Sequence, residues 1–159
     1  MSMEVYVLSD QRLQSIDAWQ RAIDVKRDSL RVGTETPFLK VNGMLPVMLN
    51  GRQTCFECQH WSARSLMADF PKVSFGHRWA YALAFRWGGN IASAISANLA
   101  AAAYAEATRG QIFICAEGKL VLPARAREIA AELERNAPMI EEMVRQVAEQ
   151  FRRKAGSGT

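Results

Sequence analysis

The clearest pattern along the chain is the strict alternation of bulky side chains with small or charged ones between residues 78 and 87. A period of two is typical of a β-strand, so this segment predicts a strand with two unlike faces. We expect the rest of the domain to pack around this strand. Its bulky face comprises Trp79, Tyr81, Leu83, Phe85 and Trp87, and its other face comprises Arg78, Ala80, Ala82, Ala84 and Arg86.

An alanine-rich helix is predicted directly after this strand, from Asn90 to Gly110. Asparagine is favourable at a helix N-cap, and glycine is common just past a helix C-terminus. Small side chains on both elements would allow the two backbones to approach closely. We therefore expect the helix to lie across the alanine face of the strand.

The N-terminal third predicts a strand–helix–strand unit, either a βαβ or a split βαβ arrangement. The two predicted strands are residues 4–8 and 29–32. Between them a helix is predicted to end near Lys26, with Ser9 or Asp10 as its N-cap. The apolar stripe of this helix consists of Leu13, Ile16, Trp19 and Ile23.

Two hairpins and a short helix are predicted in the remaining middle segments. Asn50-Gly51 is a tight-turn sequence between two strand-forming runs. Residues 33–45, before this hairpin, are expected to be irregular, with Met44 tucked under the domain. A short helix is predicted at residues 62–69, and a second hairpin at residues 111–115 and 119–122.

Two helices are predicted at the C-terminal end. The first begins at Pro123, where the missing N–H of proline is not needed, and ends near Asn136. Ala137-Pro138 is expected to break it and to start the second. An apolar stripe continues across the break, so either both helices dock on the same surface or the second one protrudes. The stripe consists of Ile129, Leu133, Ile140, Val144, Val147 and Phe151.

Together these elements predict an α+β fold. The sheet is expected to be mixed or antiparallel, with about five or six strands, helices mainly on one face and two C-terminal helices. With 159 residues, of which 49% are hydrophobic and 23% charged, the chain fits one globular domain. That domain is expected to span residues 1–154, followed by a flexible tail at residues 155–159.

Composition favours a cytoplasmic protein that binds neither membranes nor nucleic acids. No apolar run approaches the roughly 20 residues that cross a bilayer, and the N-terminus lacks the pattern of a secretory signal. The net charge is +4, but basic residues alternate with acidic ones rather than forming a stripe. Three cysteines, an odd number, fit a reducing compartment.

Cys55, Cys58 and His60 form the sharpest local pattern, a CxxC followed by a histidine. Zinc needs four tetrahedral ligands, and only His77 and Cys115 remain to complete such a set. On an extended strand the two cysteines also point to opposite faces, which a shared metal does not allow. We therefore predict no metal at Cys55, Cys58, His60 and His77, and no cofactor.

Catalysis is the less favoured interpretation. Glu57, His60, His77 and Arg86 could supply acids, bases and a cation around a pocket beside the aromatic strand. However, the sequence places no serine or cysteine in a nucleophile context and no carboxylate pair at a useful spacing on one element. No catalytic residue is predicted.

Aromatic and arginine residues favour a binding surface. Both residue types concentrate in the hot spots of protein interfaces, and Arg-Trp pairs at 78–79 and 86–87 bracket one strand. The aromatic face of this strand is either a partner surface, if the helices leave it uncovered, or simply the core, which is the more common outcome for such a face. The candidate contact residues are Trp61, Arg78, Arg86, Trp87, Glu57 and His60.

Several segments resemble a family of small bacterial α+β proteins. They are WAYALAFRWGG, the alanine-rich helix ending AAAYAEATRGQIF, and GKLVLPARAREIA, with VYVLSDQRLQSIDAWQRAID, FECQHW and FGHRW as further pieces. Some proteins of this layout are encoded beside secreted bacterial toxins as immunity partners, in polymorphic, contact-dependent or type VI toxin systems. The resemblance implies binding and neutralisation of a toxin, and it implies no catalytic residue.

The function predicted from the sequence is therefore that of a non-enzymatic protein-binding protein, an immunity protein that neutralises a cognate bacterial toxin. The alternative is a small enzyme or ligand-binding domain built on Glu57, His60, His77 and Arg86. A solvent-facing cluster of tryptophan and arginine would favour the first, and a pocket where the four side chains converge would favour the second.

Overall fold

The computed structural model describes residues 2–156, which form one sheet with helices on both faces. The strands are β1 (Met3–Ser9), β2 (Leu30–Val32), β3 (Asn42–Leu49), β4 (Arg52–Trp61), β5 (Tyr81–Trp87), β6 (Gln111–Ile114) and β7 (Lys119–Val121). The α-helices are α1 (Ile16–Val25), α2 (Ala63–Asp69), α3 (Ile91–Thr108) and α4 (Pro123–Gly156), with a 3-10 turn at Phe38–Lys40. The α+β prediction is confirmed.

Across residues 2–156 the sheet has seven strands in the order β2-β3-β4-β5-β1-β6-β7, and all neighbours are antiparallel. This exceeds the expected five or six because the three-residue strands β2 and β7 both pair at its edges. β1 and β2, the two strands of the predicted N-terminal unit, run in the same direction with three strands between them. The unit is therefore the split βαβ arrangement, one of the two that were predicted. The Asn50-Gly51 hairpin is confirmed, and both of its residues have the positive φ of a type I′ turn.

Three helices cover one face of the sheet, and one short helix covers part of the other. α1, α3 and α4 share the larger hydrophobic core with the sheet. α2 and the segment that follows it cover a smaller core over β1, β5 and β6. The expectation that helices lie mainly on one face is confirmed.

The helix α3 packs on the bulky face of β5, so the predicted contact with the alanine face was wrong. Leu83 and Phe85 belong to the core that contains α3. Ala82 and Ala84 point to the opposite side, into the smaller core. Bulky side chains fill the space beside an alanine helix, whereas two faces of alanine would bury little apolar area. Trp79 lies before β5 and packs into the smaller core.

Both predicted ends of α3 are confirmed. The side chain of Asn90 accepts a hydrogen bond of 3.0 Å from the N–H of Ser93, and Arg109 adopts the left-handed conformation before Gly110. Gly110 lies directly against β1, where an added Cβ would be 2.4 Å from the carbonyl oxygen of Leu8. The end of α3 is therefore held against the sheet at a distance that only glycine allows.

The N-cap of α1 is Ser15, so the prediction of Ser9 or Asp10 was wrong. The side-chain oxygen of Ser15 accepts a hydrogen bond from the first turn of the helix. Ser9 belongs to β1 and its hydroxyl donates to the carbonyl oxygen of Gln11. Asp10 accepts a hydrogen bond from the backbone N–H of Ala80. Both of these side chains hold the chain leaving β1 instead of capping a helix.

One continuous helix, α4, stands where two C-terminal helices were expected. It runs for 34 residues with Pro138 inside it. Proline removes one hydrogen bond, but strong helix formers such as Glu, Arg, Met and Ala flank it on both sides. Between residues 138 and 156 nearly every side chain is exposed, so the last part of the helix protrudes. The tail expected at residues 155–159 begins within α4, and residues 157–159 lie outside the described residues.

The close approach at Gly110 predicts that Gly110→Ala destabilises the fold. The new methyl group would overlap a backbone carbonyl that cannot rotate away, so the free energy of unfolding should fall by about 1–3 kcal/mol. Urea unfolding followed by circular dichroism measures the change. Gly89→Ala is the matched control near the other end of α3, because nothing lies within 4 Å of its added Cβ. Equal unfolding midpoints for the two variants would contradict the prediction.

Candidate functional site

Within residues 2–156, no helix covers the face of β3 and β4 that lies opposite α1, α3 and α4. Strand alternation sends Leu45, Phe56 and Cys58 into the larger core, while Met44 on the other side is 62% exposed. We call this surface the open face. It comprises Met44, Pro46, Met48, Gln53, Cys55, Glu57, Gln59, Trp61 and Arg86.

Arg86 lies between two carboxylates at the edge of the open face. Glu57, Arg86 and Glu4 are directly opposite one another on three adjacent strands. Nη2 of Arg86 is 3.1 Å from Oε2 of Glu4, and Nη1 is 3.5 Å from Oε2 of Glu57. The pKa of Arg86 is raised, chiefly by the charge of Glu4. Burial, and then a hydrogen bond donated to Glu4, raise the pKa of the neighbouring Tyr6 phenol.

A cleft of ≈ 360 Å³ opens beside this row of charges. Met44, Glu57 and Arg86 line it together with Trp87 and Gly88. The Trp87 side chain is only 8% exposed and belongs to the larger core, which is the alternative that the sequence left open for the aromatic strand. The cleft therefore combines apolar walls with an ion pair, a combination that suits a protruding side chain of a protein partner.

The open face carries three of the six predicted contact residues, namely Glu57, Trp61 and Arg86. Trp61 ends β4 and is 44% exposed. His60 precedes it in the strand and points to the opposite side, since successive side chains alternate. Arg78 is exposed in the segment before β5 rather than within the strand. The structure thus groups half of the predicted contact residues on the open face, brings the buried Trp87 to the cleft beside them, and places His60 and Arg78 elsewhere.

His60 packs against the 3-10 turn on the helix-covered side of the sheet. Its Nε2 donates to the carbonyl oxygen of Phe38 at 2.9 Å, and the two rings meet edge to face at 4.7 Å. Burial lowers the pKa of His60, and the hydrogen bond to Phe38 only partly opposes this shift. These contacts fit a residue that holds the turn in place.

The four residues of the enzyme alternative do not converge on one pocket. Glu57 and Arg86 line the cleft, but His60 lies on the other side of the sheet. His77 lies in the segment before β5, where its Nε2 is 2.7 Å from Oδ2 of Asp10. Neither histidine lines the cleft. The geometry therefore separates the groups that acid–base catalysis there would need.

The cysteine–histidine pattern does not converge either. β4 is continuous, so Cys55 lies on the open face while Cys58 and His60 point to the helix-covered side. Cys58 is buried, and burial raises the pKa of its thiol. His77 lies on a separate segment. In the part of the chain that the structure describes, no three His, Cys, Asp or Glu side chains form a group able to hold a metal ion.

The exposed methionines of β3 belong to the open face, although neither was among the predicted contact residues. Met44, expected to be tucked under the domain, is exposed, and Met48 lies beside it on the same face. β3 begins at Asn42, so the segment expected to be irregular is partly strand. The signal was the alternation that sends Leu45 and Val47 inward and the methionines outward.

Comparisons with protein-family models, with curated proteins and with solved structures find no match for this chain. None of the helices within residues 2–156 has the length and apolar character needed to span a membrane.

The burial of His60 predicts that folding stability depends on pH. The pKa of His60 is lower in the folded state than in the unfolded state. As the pH falls, the unfolded chain therefore takes up a proton at this residue before the folded chain does, which favours unfolding. The contribution of His60 should be complete above the unfolded pKa of about 6.5 and should diminish as the pH falls from there towards the folded pKa. His60→Gln keeps a donor for Phe38 and should flatten this decrease. The free energy of unfolding, measured with urea at several pH values between about 7.5 and about 5, should fall less steeply in the variant than in the wild type. The same fall with pH in both proteins would contradict the prediction.

Proposed function

We propose that this chain is a non-enzymatic protein-binding protein that uses its open face to bind and neutralise a bacterial toxin domain. The observation that carries the proposal is the exposure of large apolar side chains around the Glu57–Arg86 ion pair. Antiparallel sheets often leave one face to solvent, but that face is then mostly polar. Here Met44, Met48 and Trp61 are exposed on it, and clustered exposed apolar side chains are typical of interaction sites.

The chemistry of the open face suits a protein partner. Tryptophan, methionine and arginine are enriched in the central parts of protein interfaces. Methionine side chains adapt their shape to the surface that they meet. Arg86 contacts Glu4 and Glu57 through two of its nitrogens and has further N–H groups for an acceptor on a partner.

A toxin domain is proposed as the partner because of the resemblance to immunity proteins. Such a protein acts by occupying its target and performs no reaction of its own, in keeping with the separation of His60 and His77 from Glu57. A sheet presents a preformed surface, so little conformational entropy is lost on binding. We expect neutralisation to take place in the cytoplasm, with neither a nucleic acid nor a membrane as partner.

The proposal predicts that the wild-type chain protects cells from the toxin and that an open-face variant does not. The toxin to test is the C-terminal domain of a secreted protein encoded directly upstream of this chain's gene. In cells that express this domain, the wild-type chain should restore growth. Met44→Asp combined with Trp61→Ala should weaken binding at least about tenfold and reduce protection. Because both side chains are exposed, the melting temperature should change little.

Val25→Asp is the matched control for this experiment. Val25 is also an exposed hydrophobic residue, but it ends α1 on the other side of the sheet, so this variant should protect as well as the wild type. Undiminished protection by the double variant would contradict the role of the open face. A gene neighbourhood that encodes no such secreted protein would contradict the toxin as partner.

A further inference from the structure

The protruding part of α4, residues 139–156, carries an uncovered hydrophobic seam. We call this segment the arm, and as a helix it is about 27 Å long. Val144 is 64% and Phe151 69% exposed. Steps of three and four residues separate the members of the seam, which is the spacing of a coiled coil. The seam consists of Ile140, Val144, Val147 and Phe151.

The seam continues the stripe by which α4 packs on its own domain. The same steps of three and four lead back from Ile140 through Ala137 and Leu133 to Ala130 and Ala126. Ala126 and Ala130 are buried in the larger core, and Leu133 packs against it. There the neighbouring helix is α3. Since the arm repeats the pattern without such a neighbour among the described residues, a second helix is the occupant that fits it.

A cleft of ≈ 560 Å³ lies where the arm leaves the domain, and we call it the root cleft. Ile91 and Ile95, in the first turns of α3, provide an apolar wall. Glu134 and Glu141 line the side formed by α4, and Arg52 of β4 also lines the cleft, which leaves two acidic side chains against one basic one. Within residues 2–156 neither glutamate side chain forms a hydrogen bond or an ion pair. The root cleft therefore suits an incoming segment with an apolar side and basic residues.

The far end of the arm has this chemistry. Arg152, Arg153 and Lys154 directly follow Phe151, so the tip is basic and apolar while the root is acidic. Two arms packed side by side in the same direction would place like charges together. Packed in opposite directions, they would place each basic tip beside an acidic root, which is electrostatically favourable.

We propose that the arm binds the arm of a second copy of this chain in antiparallel orientation. The two-fold axis passes between Val144 and Val147, so that Ile140 lies opposite Phe151 of the second copy. Each basic tip then enters the root cleft of the other copy. The two domains lie at opposite ends of the paired arms, and both open faces remain exposed. The contact is isologous, as expected for a symmetric dimer.

Sedimentation equilibrium of the full chain tests self-association, with a mass of twice 17.8 kDa expected as the concentration rises. Val144→Glu should raise the dissociation constant of the dimer at least about tenfold. Gln146→Glu is the matched control, because position 146 faces away from the seam, and it should leave the constant unchanged. Far-ultraviolet circular dichroism should show the same helix content for all three proteins. A mass that stays monomeric, whether or not vesicles of anionic phospholipid or another protein bind the seam, would overturn the proposal.

Charge reversal tests the contact between tip and root cleft. One variant carries Glu134→Arg and Glu141→Arg, and another carries Arg152→Glu and Arg153→Glu. Each alone places like charges together in both contacts and should dimerise at least about tenfold more weakly than the wild type. An equimolar mixture places opposite charges in both contacts, so a heterodimer should form. A mixture no more dimeric than its two components would overturn the proposal.

Disulfide formation tests the orientation of the arms. Met143→Cys in one copy and Gln150→Cys in the other lie side by side only when the arms are antiparallel. Oxidation of the mixture should join position 143 to position 150, as shown by mass spectrometry of the linked peptides. A link between two copies of position 150, formed as fast as the mixed link, would indicate parallel arms and overturn the proposal.

Discussion

Close packing around the alanine-rich helix α3 determines how the other elements of the domain are arranged. Of its 18 residues, 14 are buried, because the sheet, α1 and α4 all pack on it. Small side chains allow three neighbours to approach the helix at once. The ring N–H of Trp19 on α1 reaches the backbone of α3 and donates to the carbonyl oxygen of Ala100 at 3.1 Å. The space beside these small side chains is filled by large side chains of the neighbouring elements. Examples are Trp19 and Phe85, whose rings meet edge to face with their centroids 5.8 Å apart.

Ion pairs hold α4, the third neighbour of α3, in place. Arg127 of α4 binds Asp28, which precedes β2, and Glu106 of α3, each at 2.6 Å. Burial opposes the charge of Arg127, but the two carboxylates raise its pKa overall. One guanidinium thus joins three parts of the chain at a half-buried position, where an ion pair is stronger than at the surface. This contact sets where α4 begins its path along α3.

The surfaces of the molecule follow from this arrangement. Because the three longest helices of the described chain all lie on one side of the sheet, only the short α2 among the helices of residues 2–156 remains for the other, and it leaves the open face uncovered. α4 passes Ile91, the first residue of α3, beside Ala137, and beyond that point no helix of the described residues 2–156 packs on it. The open face and the arm are therefore both consequences of an 18-residue helix that serves as the centre of the core. They lie on different sides of the sheet, so one can be occupied without covering the other.

The elements and their ends can be predicted from the sequence wherever the signal is local. Examples are the alternation in β5, the Asn90 cap and the Asn50-Gly51 turn, because side-chain spacing and backbone preference act within a few residues. The sequence also singled out Glu57, Trp61 and Arg86, which the structure brings together on the open face. Three features could not be predicted in this way and follow from packing between distant segments. They are the contact of α3 with the bulky face of β5, the continuation of α4 through Pro138, and the placement of His60 and Glu57 on opposite sides of the sheet. Periodicity defines the faces of an element, but the face that is covered depends on volume and area matched between residues far apart in the chain.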